Sequence, residues 1–317
     1  MNKPRLCLPF RARELITLLS ASTAITLSAC GGGGSTTSPS DATAPPGLTY
    51  PAGSPQLAIY ELLNQERLRC GFGSLTQNSA LNTAATAHAT YFSQAKTNPS
   101  DEAEIVNSAE FTGATAQDRA NAAGYVGTVS ETEGYFSKQP IDALRGNLAM
   151  PYRGAKLLSG ARDVGLGYTS HAAFFVSGTI GALVVDLGVS TGQPSQDPAG
   201  VLTYPCEGTT GTPVVAGETR PQPIDGSQPT WGQPVFVRAS SGHILAIASA
   251  TLTEVPTGAA VPIQKILTQA TDTNGIYPAN SATVIPAALK TSTTYSAVIT
   301  GTDNGVYFSK TFSFTTG

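Results

Sequence analysis

The chain has 317 residues, of which only 12% are charged, with a formal net charge of -3 and abundant glycine (33) and proline (22). That length suits one large or two ordinary domains. The absence of a basic patch argues against nucleic acid as a partner, and beyond the first thirty residues no segment is long and apolar enough to cross a membrane as a helix.

At the N-terminus, Lys3, Arg5, Arg11 and Arg13 precede an apolar run from Leu15 to Leu27. This is the arrangement of a secretory signal. Leu27-Ser28-Ala29-Cys30, followed by four glycines, resembles the signal of bacterial lipoproteins. The resemblance implies a signal over residues 1–30, diacylation of the Cys30 sulfur and attachment to a membrane through that lipid. Gly31, where Asp would favour the inner membrane, implies the outer membrane if the host is Gram-negative. The alternative, an uncleaved transmembrane anchor, needs about 20 apolar residues, and this run is shorter and broken by Ser and Thr. The signal holds four of the 18 Lys and Arg and one of the 21 Asp and Glu, so the other 287 residues carry 14 basic and 20 acidic groups. The Lys- and Glu-rich surface of a cytosolic protein is missing, as suits an exported one.

Residues 31–55 are Gly, Ser, Thr and Pro without apolar periodicity, which predicts a flexible tether. Ser54-Pro55 then reads as a helix cap and first turn, with Ile59, Leu62, Leu63 and Cys70 on one side and Gly71 as the stop. A second helix starts near Asn78 or Ser79, with Leu81, Ala84, Ala85, His88 and Phe92 at helical spacing. A third opens at Thr115 in a capping-box-like pattern with Asp118 and ends at Gly124. A fourth presents Ile141, Leu144 and Leu148 on one side. Strands are predicted over 163–169, 172–177 and 180–189, the last apolar enough to be central. The fold class is therefore α+β. Residues 207–229 are again Gly-, Thr- and Pro-rich and predict a linker. From 230 to 317, short β-prone runs such as Val235–Arg238 and Tyr295–Ile299 alternate with turn residues at the spacing of a β-sandwich.

Four cysteines separate by position. Cys7 lies in the signal and Cys30 is the lipid site, leaving Cys70 and Cys206. Two cysteines in an oxidising compartment predict one disulfide, the alternative being two buried thiols. Closing so long a loop contributes roughly 4–5 kcal/mol in the chain-entropy model.

Several pieces in order carry a further resemblance: Asn64-Gln-Glu-Arg67, Leu81–His88, Phe111-Thr-Gly-Ala-Thr-Ala-Gln-Asp-Arg119 with Gly124-Tyr125, Glu131, Pro151–Leu158 and Asp163-Val-Gly-Leu-Gly-Tyr168. Together they resemble the CAP superfamily (cysteine-rich secretory, antigen 5 and pathogenesis-related proteins) over residues 56–206. The resemblance implies a three-layer α-β-α sandwich with a central cleft. In the family that cleft commonly holds two histidines and two acidic residues able to bind zinc, whose donors are imidazole nitrogen and carboxylate oxygen. Here Arg153 stands at the downstream histidine position, and Asp101-Glu-Ala-Glu104 at the upstream one contains no histidine. Glu131 keeps its acidic place and Glu104 is the candidate for the other. Arg cannot ligate a metal, so zinc is disfavoured, and an Arg153–Glu131 ion pair or an anion held by Arg153 is expected instead. Cys70 and Cys206 stand at the edges of this stretch, as a staple between first helix and exit strand would require. The closing segment, Thr311-Phe-Ser-Phe-Thr-Thr-Gly317, resembles bacterial Ig-like modules, in which a spacer or packing role is expected, with Trp231 as an anchor.

His88 sits among apolar residues of its helix, where a core histidine bonded to backbone competes with a ligand role; it is retained as a cleft candidate beside Glu104, Glu131 and Arg153. Glu131 is the one catalytic candidate; Glu131 and Glu133 share a face on a strand and need not on a loop. His171 and His243 have no nameable partners, and no Gly-x-Ser-x-Gly or His-Glu-x-x-His motif occurs. Three functions follow: a tethered non-catalytic binder of a lipid, small apolar ligand or cell-envelope component; a Glu-dependent, peptidase-like hydrolase; or an envelope structural and interaction protein.

Overall fold

The structure is a computed structural model that describes residues 47–94, 103–136, 139–172, 179–217, 221–226 and 229–317. The signal, Cys30 and most of the expected tether lie outside the described residues.

The first helix, α1 (Pro55–Arg69), begins as its sequence predicts: Ser54 Oγ accepts from Leu57 N at 3.1 Å and proline occupies the first turn. Gly71, at φ +85°, ends it in a conformation that favours glycine. The Asn64-Gln-Glu-Arg67 motif ties the following loop to the helix. Asn64 bonds Leu75 through both its amide oxygen and nitrogen. Arg67 is fully buried and donates to the carbonyls of Phe72, Gly73, Leu157, Ser159 and Ala161. Burial pushes its guanidinium down to about 9. Residues expected in the tether join this body: Tyr50 is buried, its hydroxyl donating to Asn82 at 2.6 Å. The tether thus stops short of residue 55, because an aromatic side chain there gains by burial what a Gly/Ser chain cannot.

The strands β1 (Thr76–Gln77), β2 (Gly127–Phe136), β3 (Asp163–Ala172) and β4 (Thr179–Ser190) form a sheet in the order β1-β3-β4-β2. Only β1 runs parallel to its neighbour. The expected strand 172–177 falls mostly outside the described residues, β3 running on to Ala172. The helices α2 (Ser79–Gln94), α3 (Ala116–Ala122), α4 (Pro140–Leu148) and α5 (Pro151–Leu157) complete this half. Period-two alternation divides β4 between two faces. Leu183, Val185 and Leu187 pack with Ile59, Leu63, Leu144, Leu148 and Leu157 of α1, α4 and α5. Ala182 and Val184 pack with Ala85, Ala89 and Phe92 of α2. The Gly-Leu-Gly of β3 has a steric cause: a Cβ on Gly165 or Gly167 would lie 2.1 Å from Leu81 C or 2.0 Å from Ala85 O. Ile141 departs from its expected apolar stripe and is 40% exposed, while Ala143, Leu144 and Leu148 are buried.

The C-terminal half is two facing sheets. One, in the order β10-β11-β7-β5, contains β5 (Leu202–Tyr204), β7 (Val235–Arg238), β10 (Ile263–Thr268) and β11 (Ser281–Pro286). The other, in the order β6-β13-β12-β8-β9, contains β6 (Thr209–Thr212), β8 (Leu245–Glu254), β9 (Ala260–Val261), β12 (Thr294–Asp303) and β13 (Val306–Thr316). Val235, Val237, Ala282 and Val284 meet Leu252, Tyr295, Ala297, Ile299, Phe312 and Phe314 between them.

The expected linker 207–229 is corrected at its start. Thr209–Thr212 is strand β6, paired parallel to β13, with Thr209 and Thr212 buried. Strand β5, which precedes the expected linker, pairs with β7, which follows it. The two halves also share side chains. Phe236, alternating with Val235 and Val237, packs into the helical core. Trp231 is fully buried, its Nε1 donating to Ala149 O at 2.8 Å. Gln233 donates to Leu148 O and Tyr277 to Pro151 O. Leu148 O and Ala149 O close α4, where helix geometry leaves carbonyls without partners, and the C-terminal half satisfies them. Cys70, the C-cap of α1, and Cys206 form a disulfide across 136 residues with Cα atoms 5.5 Å apart.

Candidate functional site

Three elements converge on the α2 face of the sheet. The helical spacing that buries Leu81, Ala84 and Ala85 carries His88 inward as well, and it is fully buried against Phe92 and Tyr91. Strand β2 sets Glu131 and Glu133 on one face, as alternation requires, and pairs Glu131 with Asp186 of β4. Helix α3 supplies Arg119. Its start is a full capping box, Thr115 accepting from Asp118 N while the Asp118 carboxylate accepts from Thr115 N.

The Phe111-Thr-Gly segment receives a structural role. Glu104 Oε2 accepts from Thr112 N and from Gly113 N, and the Thr112 hydroxyl also donates to this carboxylate. Arg119 Nη1 donates to Gly113 O at 3.0 Å. A Cβ on Gly113 would sit 2.8 Å from Arg119 N, so glycine is required there.

Within this frame His88 Nδ1 lies 2.9 Å from Glu104 Oε1 and Nε2 lies 3.5 Å from Glu131 Oε1. Arg119 Nη2 donates to Glu131 Oε1 at 2.6 Å, and its Nε is 3.9 Å from Glu104 Oε1. Burial alone would raise the Glu104 pKa, but the hydrogen bonds from His88 and Thr112 outweigh it and hold the group below the usual glutamate range. An ionised Glu104 can only accept, so the hydrogen between them belongs to His88 Nδ1.

Glu131 and Asp186 behave in the opposite sense. Burial, then the neighbouring Asp186 carboxylate, raise Glu131 to about 8, against the opposing charges of His88 and Arg119. Burial raises Asp186 to about 7. As two carboxylates they have no hydrogen to share, and Glu131 Oε2 and both Asp186 oxygens then lack donors. One proton on Glu131, donated to Asp186, gives Glu131 Oε2 and one Asp186 oxygen a partner and leaves the pair a single negative charge.

The sequence-predicted residues divide accordingly. His88, Glu104 and Glu131 come together; His88 is bonded to a carboxylate rather than to backbone. Among the described residues the guanidinium paired with Glu131 is that of Arg119, a correction to the expected Arg153–Glu131 pair. Arg153, on α5, bonds Asn147 Oδ1 through Nη1 at 3.5 Å. The reason is topological: α5 packs with the opposite helix cluster, whereas the Arg119 side chain lies on the α2 face. Two members escaped the sequence reading. Arg119 was visible only as the end of a motif, and Asp186 only as a lone acid inside the apolar run Ile180–Leu187, which is itself the mark of a buried polar partner.

The cluster does not fit a zinc ion. Both ring nitrogens of His88 face carboxylates, and the cationic place beside Glu131 is taken by a guanidinium. Among the described residues no group of three or more His, Cys, Asp or Glu could hold a metal. A general base must reach a substrate proton at hydrogen-bond distance, yet His88, Glu104, Arg119, Glu131 and Asp186 are all 3% exposed or less. The arrangement is an enclosed ionic network.

No family model matches this chain, and no curated protein matches it. Among solved structures, an outer surface protein from Borrelia burgdorferi is similar at 13% identity and a TM-score of 0.36, covering 45% of this chain and 97% of that one. A likeness this slight identifies neither fold nor function.

Proposed function

We propose that this chain is a membrane-tethered, extracytoplasmic module of the CAP type, joined to an Ig-like sandwich, that binds an envelope component and does not catalyse. The observation that carries the reading is the closed network: the acidic positions of the family's cleft, Glu104 and Glu131, are occupied by His88 and Arg119 and withdrawn from solvent. Helices on both faces of the β1-β3-β4-β2 sheet support the CAP-like part, and two facing sheets around one core support the Ig-like part. The Cys70–Cys206 disulfide supports an oxidising compartment. The tether itself rests on the lipoprotein-like signal ending at Cys30.

Two experiments test the reading. Detergent-extracted full-length protein is assayed on a peptide panel and by native mass spectrometry. Absence of turnover with a co-purifying envelope molecule is expected; turnover lost in Glu131→Gln but kept in Glu133→Gln would replace the reading with a Glu-dependent hydrolase. Palmitate labelling is expected for the wild type and not for Cys30→Ser, and equal labelling refutes the anchor.

A further inference from the structure

We propose that the groove between the two halves of the fold binds a small hydroxylated molecule bearing a carboxylate or phosphate group. The groove encloses about 320 Å³, at the lower end of the range of small-molecule sites, and it lies at a junction of two cores, where such sites concentrate. One wall comes from α5 and from Ser130 of β2; the other comes from the sandwich at Arg238, Ser241, Ile276–Pro278, Asn280 and Ser281.

The lining determines the ligand's charge. Lys156 and Arg238 both line the groove, and no Asp or Glu lines it among the described residues. Both cations are held in place. Lys156 Nζ donates to Glu131 O at 2.9 Å. Arg238 Nη1 donates to Leu158 O at 3.1 Å, and Nη2 lies 3.5 Å from Asp197 Oδ1, a half-exposed acid outside the lining. Gly160 leaves room for this guanidinium: a Cβ there would lie 2.6 Å from Arg238 Nη2. Two anchored cations at a partly desolvated wall are preorganised for an oxyanion, and little further ordering is needed on binding. Ser130, Ser159, Ser241, Ser281 and Asn280 add neutral hydrogen-bonding groups suited to hydroxyls.

The site is separate from the enclosed His88–Glu131 network and does not depend on the family resemblance. Its failure would leave the tethered, non-catalytic reading standing, and turnover would leave the groove's ligand class standing. The test is calorimetric titration of detergent-solubilised full-length protein with glucose 6-phosphate, gluconate and glucose. At least one anion is expected to bind about tenfold or more tighter than glucose, as a charge-assisted contact implies, and the one preferred identifies phosphate or carboxylate. Ile276 lines the groove and is 44% exposed, so Ile276→Glu adds a carboxylate without disturbing the core. It should weaken the preferred anion about tenfold or more, as should Lys156→Met, while Ile276→Lys should not weaken it. Equal affinity for glucose and both anions, no binding of any at millimolar concentration, or an unchanged affinity in Ile276→Glu overturns the proposal.

Discussion

Glu131 and Asp186 stand directly opposite each other on antiparallel strands, both carboxyls buried on the face covered by α2. The two cannot both be ionised at neutral pH without placing two like charges together in a medium of low dielectric. Their folded pKa values, about 8 and about 7, exceed the ordinary 4.5 and 3.8, so between roughly pH 4 and 8 the native state holds more protons than the unfolded chain. Stability should therefore fall as pH rises through that window. Thermal melts are expected to show a declining Tm from pH 5 to 8 in the wild type. Glu131→Gln, a neutral isostere, should flatten the slope, and an unaltered slope would exclude the pair as its source.

Arg119 contributes the opposing charge to this pair and donates to Gly113 O. Arg119→Met leaves Glu131 and Glu104 without their shared cation. Breaking a buried ion pair on one side costs about 3–5 kcal/mol, to be read as a lower urea midpoint. Adding Asp186→Asn should recover part of the loss, since the charge left on the carboxyl pair is then gone.

Trp231 is the only tryptophan and is fully buried between the halves. If they unfold as one unit, its fluorescence should be blue-shifted, weakly quenched by acrylamide, and lost in a single transition coincident with far-UV circular dichroism. Trp231→Ala should cost about 3–5 kcal/mol. Two separated transitions would mean that the junction does not couple the halves.

The Cys70–Cys206 bond closes a span of 136 residues and joins the end of α1 to the segment leaving β5. Reduction should lower stability by about 2–5 kcal/mol. A reducing agent should therefore shift the denaturation midpoint of the wild type and leave that of a Cys70→Ser/Cys206→Ser chain unmoved.

Zinc is expected to produce no tight, Glu131-dependent heat in a calorimetric titration, because Arg119 holds the place a ligated cation would need. Tight binding abolished by Glu131→Ala would falsify this account of the cluster.

Local chemistry was legible in the chain itself. Ser54-Pro55, Thr115 with Asp118, and Gly71 marked helix ends because caps and left-handed stops depend on residues one to four positions apart. Apolar periodicity marked β4 and the strands of the sandwich, and the two cysteines outside the N-terminal segment had one pairing open to them. Of the site, Glu131 and the candidate Glu104 were placed by the order of motifs, and His88 was marked by helical spacing as an inward position. Tertiary structure alone decided the rest. Which cation meets Glu131 depends on which face of the sheet a helix covers, and that put Arg119 where Arg153 was expected. Asp186 met Glu131 through strand register, a relation between residues 55 positions apart in the chain. The start of the expected linker became strand β6, and Leu48–Tyr50 folded onto the core, because burial and strand pairing reward composition-neutral segments only once their partners are in place. Sequence patterns determined where elements begin and which side of each is apolar; the packing of faces determined which charges meet.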